Sequence, residues 1–308
     1  MSSHCLESHP PLRRSLRIGL RAIASAALLC IAGPAAAGGF GTSWLSYASG
    51  AGAFGDSDDP ASHVLRVCAD PDNLPYSRRD GSGFENRIAQ IVAGALEAKL
   101  EYVWTPPARG FVRKTLGADV CDLLVGVPAG FAPVLTTRPY YRSSYVFVRR
   151  ADGPAPLSGF NDARISTLRI GVQLLGDELA ATPPGHALAS VGAIDNVVGY
   201  TFYGDGPAAE RMTDAVAGGA LDTALVWGPQ AGYFAERAGV PMRLDTPQPP
   251  DGMESSFEFS IAMGVRQGHQ MLRAALDRAI DAHRREIDAI LRSYNVPRVD
   301  QPQVLGRR

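Results

Sequence analysis

The chain has 308 residues, enough for one large domain or two small ones with an ample core. Its hydrophobic content of 45% and charged content of 20% are those of an ordinary globular protein, not of a low-complexity or collagen-like chain. A formal net charge of -1 gives no electrostatic case for nucleic acid or an anionic membrane as partner.

In chain order, residues 1–37 read as a secretory signal. Arg13, Arg14, Arg17 and Arg21 precede the apolar run Ala22–Ile31, and Ala35-Ala36-Ala37 offers a small-residue cleavage site. The run is too short to span a bilayer, which takes about 20 residues, so cleavage would leave no stable membrane insertion. The dipeptide Arg13-Arg14 leaves the export route, general or twin-arginine, open. Cleavage would also remove Cys5 and Cys30 and leave Cys68 and Cys121. In an exported chain that pair reads as a disulfide, two buried thiols being the alternative. Residues 38–63, rich in Gly, Ser and Ala, read as a flexible leader.

From Val64 strands and helices alternate. Val64–Ala69, Leu100–Trp104 and Asp122–Val127 have the composition of buried strands. Phe84–Leu96 has the spacing of an amphipathic helix, and Arg109–Leu116 that of a short one. After the extended stretch Tyr145–Arg149 the alternation resumes: strand Leu168–Val172, a helix starting over Leu174–Ala181, helix Pro207–Ala217, strand Thr223–Trp227 and helix Pro229–Ala238. Phe257–Val265 is extended again, and His269–Ser293 reads as one long charged helix. Such alternation predicts parallel sheets covered on both faces. The fold class expected is therefore α/β in two lobes, residues 64–148 plus 257–308 forming the first and 149–256 the second. Two crossing strands near 145 and 260 would form a hinge beside an inter-lobe cleft, the type II periplasmic-binding-protein arrangement. Cys68, on the first strand, and Cys121, just before the third, would then be neighbours.

Three segments narrow this pattern. L-R-V-C-A-D-P-D-N-L-P-Y-S (65–77) is followed by G-F-E-N-R-I-A (83–89). R-G-F-V-R-K-T-L (109–116) and C-D-L-L-V-G-V-P-A-G (121–130) come next, then V-L-T-T-R-P-Y-Y-R-S-S-Y-V-F-V (134–148). Together they resemble the J proteins of methanol-oxidation clusters (MxaJ, MoxJ and XoxJ), periplasmic solute-binding-protein-like partners of quinoprotein alcohol dehydrogenases. The resemblance implies a periplasmic accessory protein that activates or matures such a methanol or alcohol dehydrogenase. The dehydrogenase would carry pyrroloquinoline quinone (PQQ) and a calcium or lanthanide ion, this chain itself binding no cofactor. The alternative is an extracytoplasmic receptor of an ABC uptake system for a small molecule other than an amino acid.

Amino-acid binders of this fold hold the α-carboxylate with an Arg in a T-x-x-R turn, because a guanidinium pairs bidentately with a carboxylate. The corresponding turn here, Pro128–Pro133, has no cation. The Asp that usually receives the α-ammonium is replaced by the run Trp227-Gly228-Pro229-Gln230. A zwitterion drawn out of water without these anchors would lose the pairing that offsets its desolvation.

The residues expected around the cleft are Asp70, Asn73 and Tyr76 after the first strand, Glu85 in the first helix, Arg109 at the second helix, Tyr140, Tyr141 and Arg142 near the hinge, and Trp227. Each has a structural alternative: Asp70 and Asn73 as turn caps, Glu85 as an acceptor in the first helical turn, the tyrosines as hinge packing, and Arg109 as half of a local ion pair. Asp70, Asp72 and Asn73 lack the spacing of a calcium loop, so no metal is assigned. Neither G-x-S-x-G nor H-E-x-x-H occurs, so no enzyme activity is assigned; a lyase or dehydratase built on a cleft carboxylate such as Glu85 is the remotest reading.

Overall fold

The structure, a computed structural model, describes residues 63–106, 110–175, 180–201, 206–253 and 257–299. The predicted signal, the leader up to residue 62, and Arg109 lie outside the described residues. Among those described, no helix is long and apolar enough to cross a membrane.

β1 (Val64–Ala69) runs parallel to β4 (Lys99–Trp104), with Val64 opposite Lys99 and Ala69 opposite Trp104. The short hairpin β2 (Asp72–Asn73) and β3 (Ser77–Arg78) intervenes, followed by α1 (Phe84–Ala95). Phe84, Ile88, Ala89 and Val92 put α1's apolar stripe into the core. Asn86 closes the helix start, its Oδ1 accepting from the Gly83 N–H at 3.1 Å and the Arg78 N–H at 2.9 Å. After α2 (Phe111–Lys114), β5 (Leu123–Pro128) joins β1's other side, with Val67 opposite Leu123. Cys68 and Cys121 are bonded with their Cα atoms 5.6 Å apart, as the even pair suggested.

Following β6 (Leu135–Thr136), the long strand β7 (Tyr141–Arg150) links the two halves of the sheet. Tyr141–Ser144 pair with β13 (Glu258–Val265), whereas Tyr145–Val148 pair with β11 (Thr223–Trp227). The second half holds β8 (Ile170–Leu175), β9 (Ala180–Ala181), α3 (Pro183–Ser190), β10 (Val197–Tyr200), α4 (Ala208–Ala217), α5 (Gly228–Ala235) and β12 (Met242–Asp245). The resulting order is β10-β8-β11-β7-β13-β5-β1-β4, parallel within each half and antiparallel where β7 and β13 meet their neighbours.

Two predicted elements differ. Where a helix was expected to start, Leu174 and Leu175 extend β8 and pair antiparallel with Ala181 and Ala180 of β9. Pro183 and Pro184 lack the N–H groups of a helix interior but suit a first turn, so α3 begins there. The long C-terminal helix is two, α6 (Gln270–Ala282) and α7 (Arg284–Ser293), broken at His283. The break lets Leu272, Leu276 and Ile280 from one helix and Ile287, Ile290 and Leu291 from the other enter one core, both helices packing on α1.

Candidate functional site

The parallel strands β1 and β5 end side by side, and ligands of open α/β sheets bind beyond such carboxyl ends. Here they border a half-open cavity of about 180 Å³. Asp70, Asn73 and Ser77 border it from the turn after β1, and Glu85 from α1. Thr105 and Phe111 close one side, and Leu124, Val125 and Gly126 of β5 form the wall.

Glu85 is the unusual group. Its carboxyl lies over Gly126, where an added Cβ would come within 2.0 Å of Oε1, so the strand position must be glycine for this rotamer to exist. The residue is part-buried and its side chain borders the half-open cavity, with no hydrogen bond to its carboxyl among the described residues. Desolvation alone pushes it up to about 8, so it carries a proton at neutral pH. The helix-capping role open to it from sequence belongs to Asn86 instead.

Asp70 is half-buried, and burial pushes its carboxyl up, opposed by the Asp72 N–H that donates to Oδ1 at 3.1 Å. The Ser77 hydroxyl donates to the Asp70 carbonyl at 2.8 Å and holds the turn against the strand end. The turn thus takes both readings offered by its sequence: Asp70 bonds locally, and it also borders the cavity with Asn73.

The aromatic residues lie elsewhere. Tyr140 and Tyr141 are buried, their rings 5.1 Å apart, and the Tyr140 hydroxyl donates to the Val125 carbonyl at 3.0 Å. Tyr76 sits mostly buried against Phe84, its hydroxyl within reach of the Trp227 indole of the second half. Burial pushes all three phenols well above their usual range, with smaller contributions from the neighbouring tyrosines and Glu85. Trp227 in turn packs edge-on against Tyr145 at 5.4 Å and Phe259 at 5.6 Å. Trp227 therefore fastens the halves through Tyr76 and Phe259, Tyr140 and Tyr141 pack within the first half, and none of these rings lines the cavity. Arg142 is exposed on the hinge strand and pairs with Glu258 at 2.5 Å, a surface bridge of little energetic weight.

Sequence reasoning passed over Ser77, Thr105, Phe111 and Gly126. Gly126 carried a readable signal: a glycine inside the otherwise apolar strand L-L-V-G-V marks a close approach. Among the described residues, no three His, Cys, Asp or Glu side chains are gathered to hold a metal ion.

Comparison with known proteins identifies this frame. MoxJ of Methylorubrum extorquens is 34% identical over 254 residues, covering 77% of this chain and 82% of MoxJ. The chain belongs to the MoxJ family. MoxJ of Paracoccus denitrificans is 32% identical over 248 residues, 76% of this chain and 88% of that protein. Among solved structures, the periplasmic binding protein XoxJ from Methylobacterium extorquens AM1 matches with a TM-score of 0.64 at 35% identity, over 77% of this chain and 99% of XoxJ. MxaJ from Methlophaga aminisulfidivorans MPT matches with a TM-score of 0.67 at 25% identity, over 77% of this chain and all of that one (100%). An ancestral cationic amino acid solute-binding protein, at 19% identity and a TM-score of 0.59, shares the fold alone. No family model matches. The fold is that of type II periplasmic binding proteins, as expected from the alternation of elements and the two crossing strands.

Proposed function

We propose that this MoxJ-family chain is an exported periplasmic accessory protein, not an enzyme, that binds a PQQ-dependent methanol or alcohol dehydrogenase and assists its activation or maturation. Family membership over three quarters of the chain is the observation that carries this reading. The geometry supports it in a second way. The turn Pro128–Pro133 offers no cation, and Trp227 points its ring toward Tyr76 and Phe259, where an amino-acid receptor of this fold would keep a charged anchor. The partner would keep its quinone and its calcium or lanthanide ion, this chain carrying neither.

The contact surface we assign is the rim of the cleft: the exposed turn at Asp72, the neighbouring Asp70, and the hinge residue Arg142. Opening at β7 and β13 would admit a part of the dehydrogenase, two lobes on a two-strand hinge being a common device for closure. The test is sedimentation of residues 38–308 with the dehydrogenase of the same organism. A co-sedimenting complex weakened at least tenfold by Asp72→Ala with Arg142→Ala supports the reading. Independent sedimentation at tens of micromolar removes it.

A further inference from the structure

We propose that the segment after α7, Tyr294–Val299, is a strap that holds the two lobes together and limits how far the cleft between them opens. The inference concerns this chain's own motion and does not rest on the dehydrogenase reading.

The path of the segment carries the inference. α7 belongs to the first lobe, and just past its end Asn295 has a φ of 54°. The Asn295 N–H donates to the Arg292 carbonyl and the Val296 N–H to the Leu291 carbonyl, each at 3.0 Å, which turns the chain sharply off the helix axis. Buried Val296 pins that turn in the first lobe's core. From there the chain crosses to α5 of the second lobe. A Cβ on Gly232 would lie 1.8 Å from the Asn295 carbonyl oxygen and 3.3 Å from Pro297 Cδ. Glycine is disfavoured inside a helix, and here it leaves the space that the segment occupies. The segment then returns to the hinge strand β7. The Ser143 hydroxyl donates to the Pro297 carbonyl at 2.6 Å, and the Val299 N–H donates to the Arg142 carbonyl at 3.2 Å.

Tyr294 marks the crossing. Its ring packs edge-on against Phe84 of α1 at 5.8 Å and stacks on Tyr233 of α5 at 5.9 Å, so it packs against the cores of both lobes. Guanidinium groups flank the stack, Arg237 at 3.6 Å from the Tyr233 centroid and Arg87 at 6.0 Å from that of Tyr294. The Tyr294 hydroxyl donates to the Ser82 carbonyl of the first lobe at 2.5 Å. Rotation of the second lobe about β7 and β13 therefore has to part Tyr294 from Tyr233 or lift Asn295 and Pro297 off α5. Two crossing strands make a hinge; a third, packed connection gives that hinge a stop.

Distances between spin labels test the strap. They are measured by double electron–electron resonance in residues 38–308 carrying Gln90→Cys and Ala220→Cys, exposed positions in the first and second lobes. Cys68 and Cys121 are bonded to each other and take no label. We expect one narrow distance in this labelled parent. Gly232→Ala displaces the segment without removing a side chain from either lobe, and Tyr294→Ala removes the shared ring. Each should add a population with the labels more than about 2 Å farther apart, the scale of a hinge rearrangement. Tyr294→Phe keeps both ring contacts and loses only the Ser82 bond, so it folds like the parent and shifts the distribution less, in the same direction. Gly171→Ala is the control, strained against Leu221 inside the second lobe, and it should leave the parent's distance unchanged. Circular dichroism confirms that each labelled variant is folded. Unchanged distances in the folded strap variants overturn the proposal. So does a parent already spread over both distances, or an equal spread in Gly171→Ala.

Discussion

The two halves of the sheet begin alike and end differently. In the first, Arg66 at the start of β1 is clamped by Asp122, which accepts from the Arg66 N–H at 2.9 Å and from its guanidinium, while the Asp119 carbonyl accepts a further bond. In the second, Arg169 just before β8 is held in the same way by Asp222 and the Gly219 carbonyl. Asp119 and Gly219 both have positive φ, at 58° and 78°. The sequences L-R-V-C and L-R-I-G, and C-D-L-L-V and L-D-T-A-L, express one frame twice. Where the first half joins Cys68 to Cys121, the second places Gly171 against Leu221, so closely that a Cβ on Gly171 would lie 2.7 Å from Leu221 Cδ1. A covalent staple and an apolar contact fill the same place. At the carboxyl ends the halves part further. β1 opens into the acidic turn and cavity, whereas β8 folds back into a hairpin and β11 ends in Trp227, which leans on the first half. The lesson is that a repeated frame sets the strands and the residues just beyond it decide what each half does.

The comparison yields measurable differences. The largest effect expected is from Cys68→Ala with Cys121→Ala, a loss of about 2–5 kcal/mol in denaturant unfolding; a loss under about 1 kcal/mol would make the staple no better than its apolar counterpart.

Next comes Glu85→Gln. The folded carboxyl titrates at about 8 and the unfolded one at 4.5. Between these values the folded state holds a proton that the unfolded chain has released, so stability falls as pH rises through that window and the loss is complete above 8. The variant should match the parent near pH 4 and exceed it by roughly 2–4 kcal/mol at pH 9. Melting curves that differ by the same amount at both pH values would contradict the assignment.

A smaller loss, about 1–2 kcal/mol, is expected for Gly171→Ala, because buried Leu221 must shift to admit the methyl group. Smallest are the clamps. Arg66→Ala should cost about 1 kcal/mol and Arg169→Ala less, since Asp222 is more exposed than Asp122 and exposed pairs contribute little. Equal losses in chemical denaturation would remove that distinction.

Much of the frame was legible because it is written in local pattern. Val64–Ala69 and Thr223–Trp227 are strands to the residue, being short apolar runs bounded by turn residues. The hairpin β8–β9 was not, because L-L-G-D-E-L-A-A has helical composition and only its pairing with a distant strand reveals the extension. β10 and β12 escaped for a similar reason: each has only four residues and lies at an edge of the second half's sheet. Of the residues expected around the cleft, Asp70, Asn73 and Glu85 border the cavity, and their places at a strand end and in a first helical turn were readable from local pattern. That Tyr76, Tyr140, Tyr141 and Trp227 face protein was not, since a tyrosine at a hinge looks the same in sequence whether it packs or binds.

The central claim, assistance to a quinoprotein dehydrogenase, is tested most directly by turnover of the purified enzyme with increasing amounts of residues 38–308. The account predicts a saturable rise in rate, or in the fraction of active enzyme when this protein is present during reconstitution with quinone and metal. It predicts a smaller rise with Asp72→Ala and Arg142→Ala together. Turnover and reconstitution yields that stay flat across the titration would contradict it.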